Sequence, residues 1–174
     1  WEKAQPKALS PLVRPTRRGP FPAMAADTKK VPHAIEAEDM TIGKAGAGKA
    51  TVQPMGAFKK DLWSGDKQVF WSGVKAGAKL ELTFDVAAKG KYDVAAAFTM
   101  ARDYGIVRVQ MDGETIGEAI DLYNFPDVIS TGALNLGTKT LDAGKHRLTL
   151  EITGANVAAT GSNLGLDYLR LTTK

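Results

Sequence analysis

The chain has 174 residues, 44% hydrophobic and 24% charged, which is ordinary for one globular domain with a tail. No apolar run approaches the roughly 20 residues of a transmembrane helix, so we expect no membrane span. The net charge is +4, but five of the 23 Lys and Arg residues lie within residues 1–24 with one Glu, which leaves 18 basic and 18 acidic side chains in the remainder. This balance argues against a nucleic-acid-binding face. The absence of cysteine removes disulfides and thiolate metal sites from consideration.

Residues 1–30 are predicted to be a linker or tail. The segment combines scattered Lys and Arg with five prolines, which favour extended backbone: Pro6, Pro11, Pro15, Pro20 and Pro22. The alternative interpretation is a basic strap that binds a neighbouring domain or an anionic surface. Because the chain begins at Trp1 without a signal-peptide pattern, we expect a processed protein or a piece of a longer one.

From His33 onward the sequence predicts strands. In residues 79–86 (KLELTFDV) apolar and polar side chains alternate, which places the apolar set on one face, and residues 146–152 (HRLTLEI) repeat the pattern. Asp112-Gly113 is a strong hairpin signal because both residues tolerate positive φ. Short strands separated by Gly-containing turns predict an all-β antiparallel sandwich or jelly roll over residues 31–174.

Motifs that could carry chemistry lack essential parts. GKAGAGK at 43–49 matches a phosphate-loop string, but Ala50 follows where Ser or Thr should hold magnesium, and Pro54 opposes the helix that such a loop needs. The only imidazoles are His33 and His146, and there is neither a cysteine nucleophile nor a G-x-S-x-G elbow. Paired carboxylates could still hydrolyse a glycoside, yet no pair is singled out. The sequence therefore favours a non-catalytic protein.

Glu36 and Glu38 form the most informative acidic pair. In a strand both project to the same face, where two carboxylates repel each other unless a cation or a basic group lies between them. A shared calcium ion would remove this repulsion, since calcium binds oxygen ligands. The alternative is a solvated acidic edge strand.

The predicted sandwich opens with IEAEDM (35–40), closes with GLDYLRL (165–171), and contains GAKLELTFDVAAKGKYDVAAAF, VRVQMDGETIG and DAGKHRLTLEITG between them. Over about residues 33–173 these segments resemble carbohydrate-binding modules of families 6 and 35, which are galactose-binding-domain-like β-sandwiches appended to secreted bacterial glycosidases. The resemblance implies that Glu36, Glu38 and Asp167 hold a structural calcium between the first and last strands.

A sugar site needs aromatic faces and a few amide or carboxylate groups. The predicted candidates in loops or at strand ends are Trp63, Trp71, Tyr104, Tyr123, Asn124, Phe125 and Asn163. The other interpretation of the two indoles is that they fill the ends of the sandwich, because tryptophan is often mostly buried. Members of the resembled families often carry a ligand-binding Asn two residues before the final-strand Asp, but this chain has Gly165 there. This departure weakens the usual binding site without weakening the fold.

We expect a non-catalytic accessory module of a secreted, periplasmic or cell-surface protein, which binds a polysaccharide or other glycan through loop aromatics. The alternative is a structural module of the same fold that packs against a catalytic domain or a sister subunit. Exposed rings in a concave surface would favour glycan binding, whereas buried rings would favour packing. Independent catalysis as a glycosidase or lyase is the third hypothesis and needs two carboxylates across an open groove.

Overall fold

The computed structural model describes residues 19–174. They form two single-turn 3-10 helices, Ala37–Asp39 and Ser64–Asp66, and eleven strands. The strands are β1 (Ala34–Glu36), β2 (Thr41–Ala45), β3 (Lys49–Pro54), β4 (Lys67–Ser72), β5 (Lys79–Val86), β6 (Gly90–Met100), β7 (Ile106–Met111), β8 (Glu114–Asp121), β9 (Ile129–Leu141), β10 (Gly144–Gly154) and β11 (Leu164–Thr173). No helix within this part of the chain has the length and apolarity of a membrane span.

Two antiparallel sheets face each other. One has the order β2-β5-β10-β7-β8, and the other has the order β3-β4-β11-β6-β9 with β1 added to β11. The alternation in β5 sets its orientation, because Leu80 and Leu82 pair with Leu150 and Leu148 of β10 and all four side chains are buried. The antiparallel sandwich predicted from the sequence is confirmed.

The hairpin predicted at Asp112-Gly113 joins β7 to β8. Both residues have positive φ, 50° and 85°, and Met111 pairs with Glu114 across the turn. The Asp112 carboxylate also accepts a hydrogen bond from the Arg147 backbone N–H at 2.9 Å. The hairpin is thereby fixed to the neighbouring strand β10.

Strand β11 organises both ends of the chain. Strand β6 lies along one of its edges, so β4, which pairs with Leu164–Leu166, and β1, which pairs with Tyr168–Arg170, share the other edge. Asp167 lies between these two pairings, at a register shift against β6. The topology therefore places Asp167 where the first and last strands meet.

Residues 19–31, which we call the N-terminal strap, lie against the sandwich. The Gly19 N–H donates to the Thr131 carbonyl at 2.8 Å, and the Ala133 N–H donates to the Pro20 carbonyl at 2.9 Å, both at the edge of β9. Met24 packs with a small apolar cluster that contains Val31 and Ala97. The part of the predicted 1–30 linker that falls in residues 19–30 is thus docked, and the rest of that prediction lies outside the described residues.

Candidate functional site

Glu36, Glu38 and Asp167 converge at the meeting point of β1 and β11. Ser64 bridges two of them, because its Oγ donates to Glu36 Oε1 at 2.5 Å and its backbone N–H donates to both Asp167 oxygens at 3.1 Å. Glu36 and Asp167 are buried, and Asp167 is only 1% exposed. Glu38 follows in the 3-10 turn, partly buried. Asp167 lies more than a hundred residues after the two glutamates in the sequence, and the fold brings the three side chains together.

Burial governs the charge of this cluster. Burial raises the pKa of Asp167 to about 9; the hydrogen bond from Ser64 opposes the rise, and the charges of Glu36 and Glu38 add to it. Burial likewise raises the pKa of Glu36, against the hydrogen bond from Ser64 and the charge of Lys30. It also raises the pKa of Glu38, where the neighbouring acids add to the effect. Three carboxyl groups therefore share a site that disfavours their ionisation.

The donor set fits a hard cation in part. Glu36 Oε2 and Glu38 Oε2 are buried and lack a hydrogen-bond partner, which is costly for carboxylate oxygens. Yet no three His, Cys, Asp or Glu side chains in residues 19–174 stand, as placed, in an arrangement that could hold a metal. The two oxygens without a partner are compatible with calcium, which can complete its shell with backbone carbonyls and water in addition to carboxylates. Lys30 is the nearby basic group that offsets part of the charge.

Both predicted indoles are buried. Trp71 is 0% exposed within the core between the sheets, where its Nε1 donates to the Ala47 carbonyl at 2.9 Å. Trp63 is 2% exposed, and its Nε1 donates to Thr99 Oγ1 at 2.8 Å. Their burial favours the other interpretation, in which they fill the sandwich, and of the two only Trp63 also lines one of the cavities described below.

The predicted amides hold loops together. Asn163 Oδ1 accepts from the Gly73 N–H at 3.2 Å, and its Nδ2 donates to Asp103 Oδ2 at 3.0 Å. Asn124 Nδ2 donates to the Asp127 carbonyl at 2.7 Å within its own turn. Both side chains therefore serve the loop conformation.

Two aromatic candidates lie in or beside the loop of residues 122–128. Tyr123 is half-buried, and Phe125 is 60% exposed with the Arg102 guanidinium 5.7 Å from its ring centroid. Neither ring lines any of the three cavities described below. Phe125 is thus an exposed ring outside the cavities.

A cavity of about 180 Å³ combines aromatic and polar side chains. Phe70 and Tyr104 form its aromatic wall, with ring centroids 6.1 Å apart and planes at 32°. Its full lining is Gln53, Phe58, Phe70, Ala101, Asp103, Tyr104 and Val128, and we call it the aromatic pocket. Of the residues predicted to bind a ligand, only Tyr104 lines it. The sequence held a signal for Phe70, because it alternates in β4 with the buried Val69 and Trp71 and so points away from them.

Two larger cavities have a different chemistry. One, of about 280 Å³, is lined by Lys29, Met55, Gly56, Phe58, Lys59, Asp61, Leu62, Trp63 and Asp66. The other, of about 210 Å³, is lined by His33, Arg170 and the end of β11. Among the described lining residues, the first contains two rings and two carboxylates but no side-chain amide, and the second contains no Phe, Tyr or Trp. The aromatic pocket adds the Gln53 amide to three rings and a carboxylate, so it is the better candidate for a sugar.

The sequence matches no protein-family model and no curated protein sequence. Among solved structures, a xanthan lyase from Paenibacillus aligns with 90% of this chain at 23% identity and a TM-score of 0.71, and the chain spans 14% of that enzyme. A family 35 carbohydrate-binding module from Clostridium thermocellum aligns at 18% identity and a TM-score of 0.50, over 82% of this chain and 99% of its own. A family 35 module from an environmental isolate gives 15% identity, a TM-score of 0.50, and coverage of 81% and 93% respectively.

This chain has the fold of family 35 carbohydrate-binding modules. The antiparallel β-sandwich of this type expected from the sequence is therefore confirmed. One position where the chain departs from the resembled families now has a structural reason. A Cβ on Gly165 would lie 2.2 Å from Gln68 Oε1, so the amide of Gln68 fills the space above β11 where an Asn side chain would start.

Proposed function

We propose that this chain is a non-catalytic carbohydrate-binding module whose glycan site is the aromatic pocket. The observation that carries the proposal is the combination of rings and polar groups at one cavity, in a chain with the fold of family 35 modules. The pocket takes over the role that the sequence had suggested for Trp63 and Trp71.

The chemistry of the lining suits a sugar. Phe58 and Phe70 offer apolar surface to the C–H face of a pyranose, and Asp103 and Gln53 offer hydrogen bonds to its hydroxyls. At about 180 Å³ the pocket is smaller than the roughly 300 Å³ typical of drug-sized ligands, so we expect it to hold about one sugar unit. A chain end or a side branch of a polysaccharide meets this requirement.

The absence of catalysis is part of the proposal. Asp103 is the one acidic side chain among the described residues of the lining, whereas glycoside hydrolysis by the usual routes uses two carboxyl groups that flank the bond. The Asp103 carboxylate also accepts a hydrogen bond from Asn163. This environment suits a fixed acceptor for a hydroxyl group.

A structural calcium at Glu36, Glu38 and Asp167 belongs to the same proposal. Its support is the pair of orphaned, buried carboxylate oxygens at the junction of the first and last strands. The ion would neutralise the three acids and stabilise the folded state, because the unfolded chain does not hold them together. We place the module in a secreted, periplasmic or cell-surface protein, where polysaccharides are encountered.

Affinity electrophoresis and a glycan array, each with calcium and with chelator, test the proposal. We expect retention by at least one polysaccharide, and we expect Phe58→Ala and Phe70→Ala to abolish it. Phe125→Ala is the matched control, since Phe125 is exposed outside the pocket. Failure of every glycan to bind, or equal loss with Phe125→Ala, would contradict the assignment.

A structural module is the second candidate. The burial of Trp63 and Trp71 favours it, as does the similarity to a segment amounting to 14% of a much larger xanthan lyase. In this alternative the module packs against a catalytic domain or a sister subunit. If no glycan binds while Phe58→Ala and Phe70→Ala lower only the melting temperature, the structural role is favoured.

A further inference from the structure

A chain of hydrogen bonds runs from the buried Trp63 to the aromatic pocket. Trp63 Nε1 donates to Thr99 Oγ1 at 2.8 Å, and Thr99 Oγ1 in turn donates to Gln68 Oε1. Gln68 Nε2 donates to Gln53 Oε1 at 2.8 Å and to Tyr104 Oη at 3.2 Å. Thr99 and Gln68 are both 0% exposed, so this chain is shielded from water until it reaches the pocket.

The indole fixes the direction of the whole chain. Because an indole N–H can only donate, Thr99 Oγ1 must accept from Trp63, and its single hydrogen is left for Gln68. Gln68 must therefore turn its carbonyl oxygen toward Thr99 and its NH₂ group toward the pocket. The reversed amide would place two donors face to face and leave the buried hydroxyl hydrogen without an acceptor.

The polarity set by the indole continues into the lining. Tyr104 Oη accepts from Gln68, so its own hydrogen is available for a ligand. The Gln53 carbonyl also accepts from Gln68, which leaves the Gln53 NH₂ group as a donor at the pocket. Burial raises the pKa of Tyr104, so the phenol keeps its hydrogen at all ordinary pH values.

We propose that the aromatic pocket recognises a sugar through an oxygen that accepts hydrogen bonds, with Tyr104 Oη and the Gln53 NH₂ group as the donors. Gln68 and Thr99 are positioning residues, since they set the direction of these donors without reaching the ligand. This inference rests on the proposed glycan site and names the ligand chemistry that the site selects. A hydroxyl oxygen of the sugar satisfies it, and a ring position that carries only hydrogen does not.

The position of Gln68 requires a glycine at position 165. Its lack of a side chain lets Gln68 lie across β11, because a Cβ there would come within 2.2 Å of Gln68 Oε1 and 2.9 Å of Nε2. The Gln68 amide of β4 therefore occupies the place of the Asn that the resembled families often carry on β11. Because Gln68 is part of a buried chain of hydrogen bonds, we expect it to be more rigid than an isolated side chain.

The first arm of the test needs no ligand. In ¹H–¹⁵N spectra we expect Thr99→Val to shift the Trp63 indole signal and to speed exchange of the Gln68 NH₂ protons by about tenfold or more. Thr99→Ser keeps both the donor and the acceptor and should restore the parent behaviour. The indole signal of Trp71 is the internal control, because it donates to the Ala47 carbonyl instead. Unchanged Trp63 and Gln68 signals in Thr99→Val would overturn the hydrogen bonds from which the direction of the chain is inferred.

The second arm uses methyl glycosides of glucose, galactose, mannose and xylose, with deoxy and deoxyfluoro derivatives at each position. Fluorine accepts weakly and cannot donate, so at one position the deoxyfluoro sugar should bind at least threefold more tightly than the deoxy sugar. Tyr104→Phe should erase that difference and lower affinity about tenfold. Equal affinities of the two derivatives at every position would overturn the inference. Binding of no glycoside would overturn it together with the proposed function, while the first arm would still decide whether these hydrogen bonds form.

Discussion

Asp167 makes the strongest quantitative prediction about this module. In the folded state burial raises the pKa of Asp167 to about 9, whereas the ordinary value is 3.8. The folded chain therefore keeps a proton that the unfolded chain releases, and the free energy of unfolding falls as the pH rises between these values. At 1.36 kcal/mol per pH unit, the loss between pH 5 and pH 8 is about 4 kcal/mol for this group alone.

The matched variant is Asp167→Asn, which keeps an acceptor for the Ser64 N–H and removes the ionisable group. Urea unfolding in chelator at several pH values measures the effect. We expect the free energy of unfolding of the parent to fall by about 4 kcal/mol more than that of the variant between pH 5 and pH 8. Groups remote from the acidic cluster, such as His146, act equally in both proteins and cancel in the difference.

Calcium should remove the difference in pH dependence between the parent and Asp167→Asn. A bound cation favours the ionised carboxylates, so saturating calcium is expected to flatten the pH dependence of the parent and to raise its melting temperature. Asp167→Asn should respond less. Equal slopes of unfolding free energy against pH for parent and variant in chelator would refute the electrostatic reasoning. A melting temperature of the parent that does not change with calcium would remove the metal from the proposal.

Three further predictions concern other parts of the fold. Burial alone would lower the pKa of His146, but hydrogen bonds to Asp112 and a backbone carbonyl outweigh it and raise the pKa. The contribution of protonated His146 to the free energy of unfolding is thus fully present below the ordinary pKa of 6.5 and is lost as the pH rises through the raised value. In urea unfolding at several pH values, His146→Gln should remove this pH dependence. Gly132→Ala would bring a Cβ within 2.3 Å of the Gly19 carbonyl, so trypsin should cleave the N-terminal strap faster than in Gly144→Ala, whose Cβ meets nothing within 4 Å. Trp63→Phe should lower the free energy of unfolding in urea by about 1–3 kcal/mol, since Thr99 loses its donor.

The strand pattern could be read from the sequence because it depends on local alternation. Leu80, Leu82, Leu148 and Leu150 all face the core, as their period of two predicts. The Asp112-Gly113 turn needed only residues that accept positive φ. The convergence of Glu36, Glu38 and Asp167 came from the resemblance, and it depends on β1 and β4 sharing one edge of β11.

The predicted sugar contacts depended on exposure, which a sequence does not encode directly. Trp63 and Trp71 are in turn-rich sequence, but their N–H groups find Thr99 and the Ala47 carbonyl, and the two rings are buried. Asn163 is held by Gly73 and Asp103, which lie 90 and 60 residues away along the chain. Such partners meet only after the strands have paired.

The sequence by itself determined the antiparallel sandwich, because side-chain alternation and turn residues act over a few neighbours. Only the tertiary structure decided which side chains reach a ligand and which way they donate. Gln68 shows the physical reason: its direction follows from Trp63 and Thr99, and its position follows from the missing Cβ of Gly165. The charge of Asp167 was decided in the same way, because burial and two distant glutamates raise its pKa.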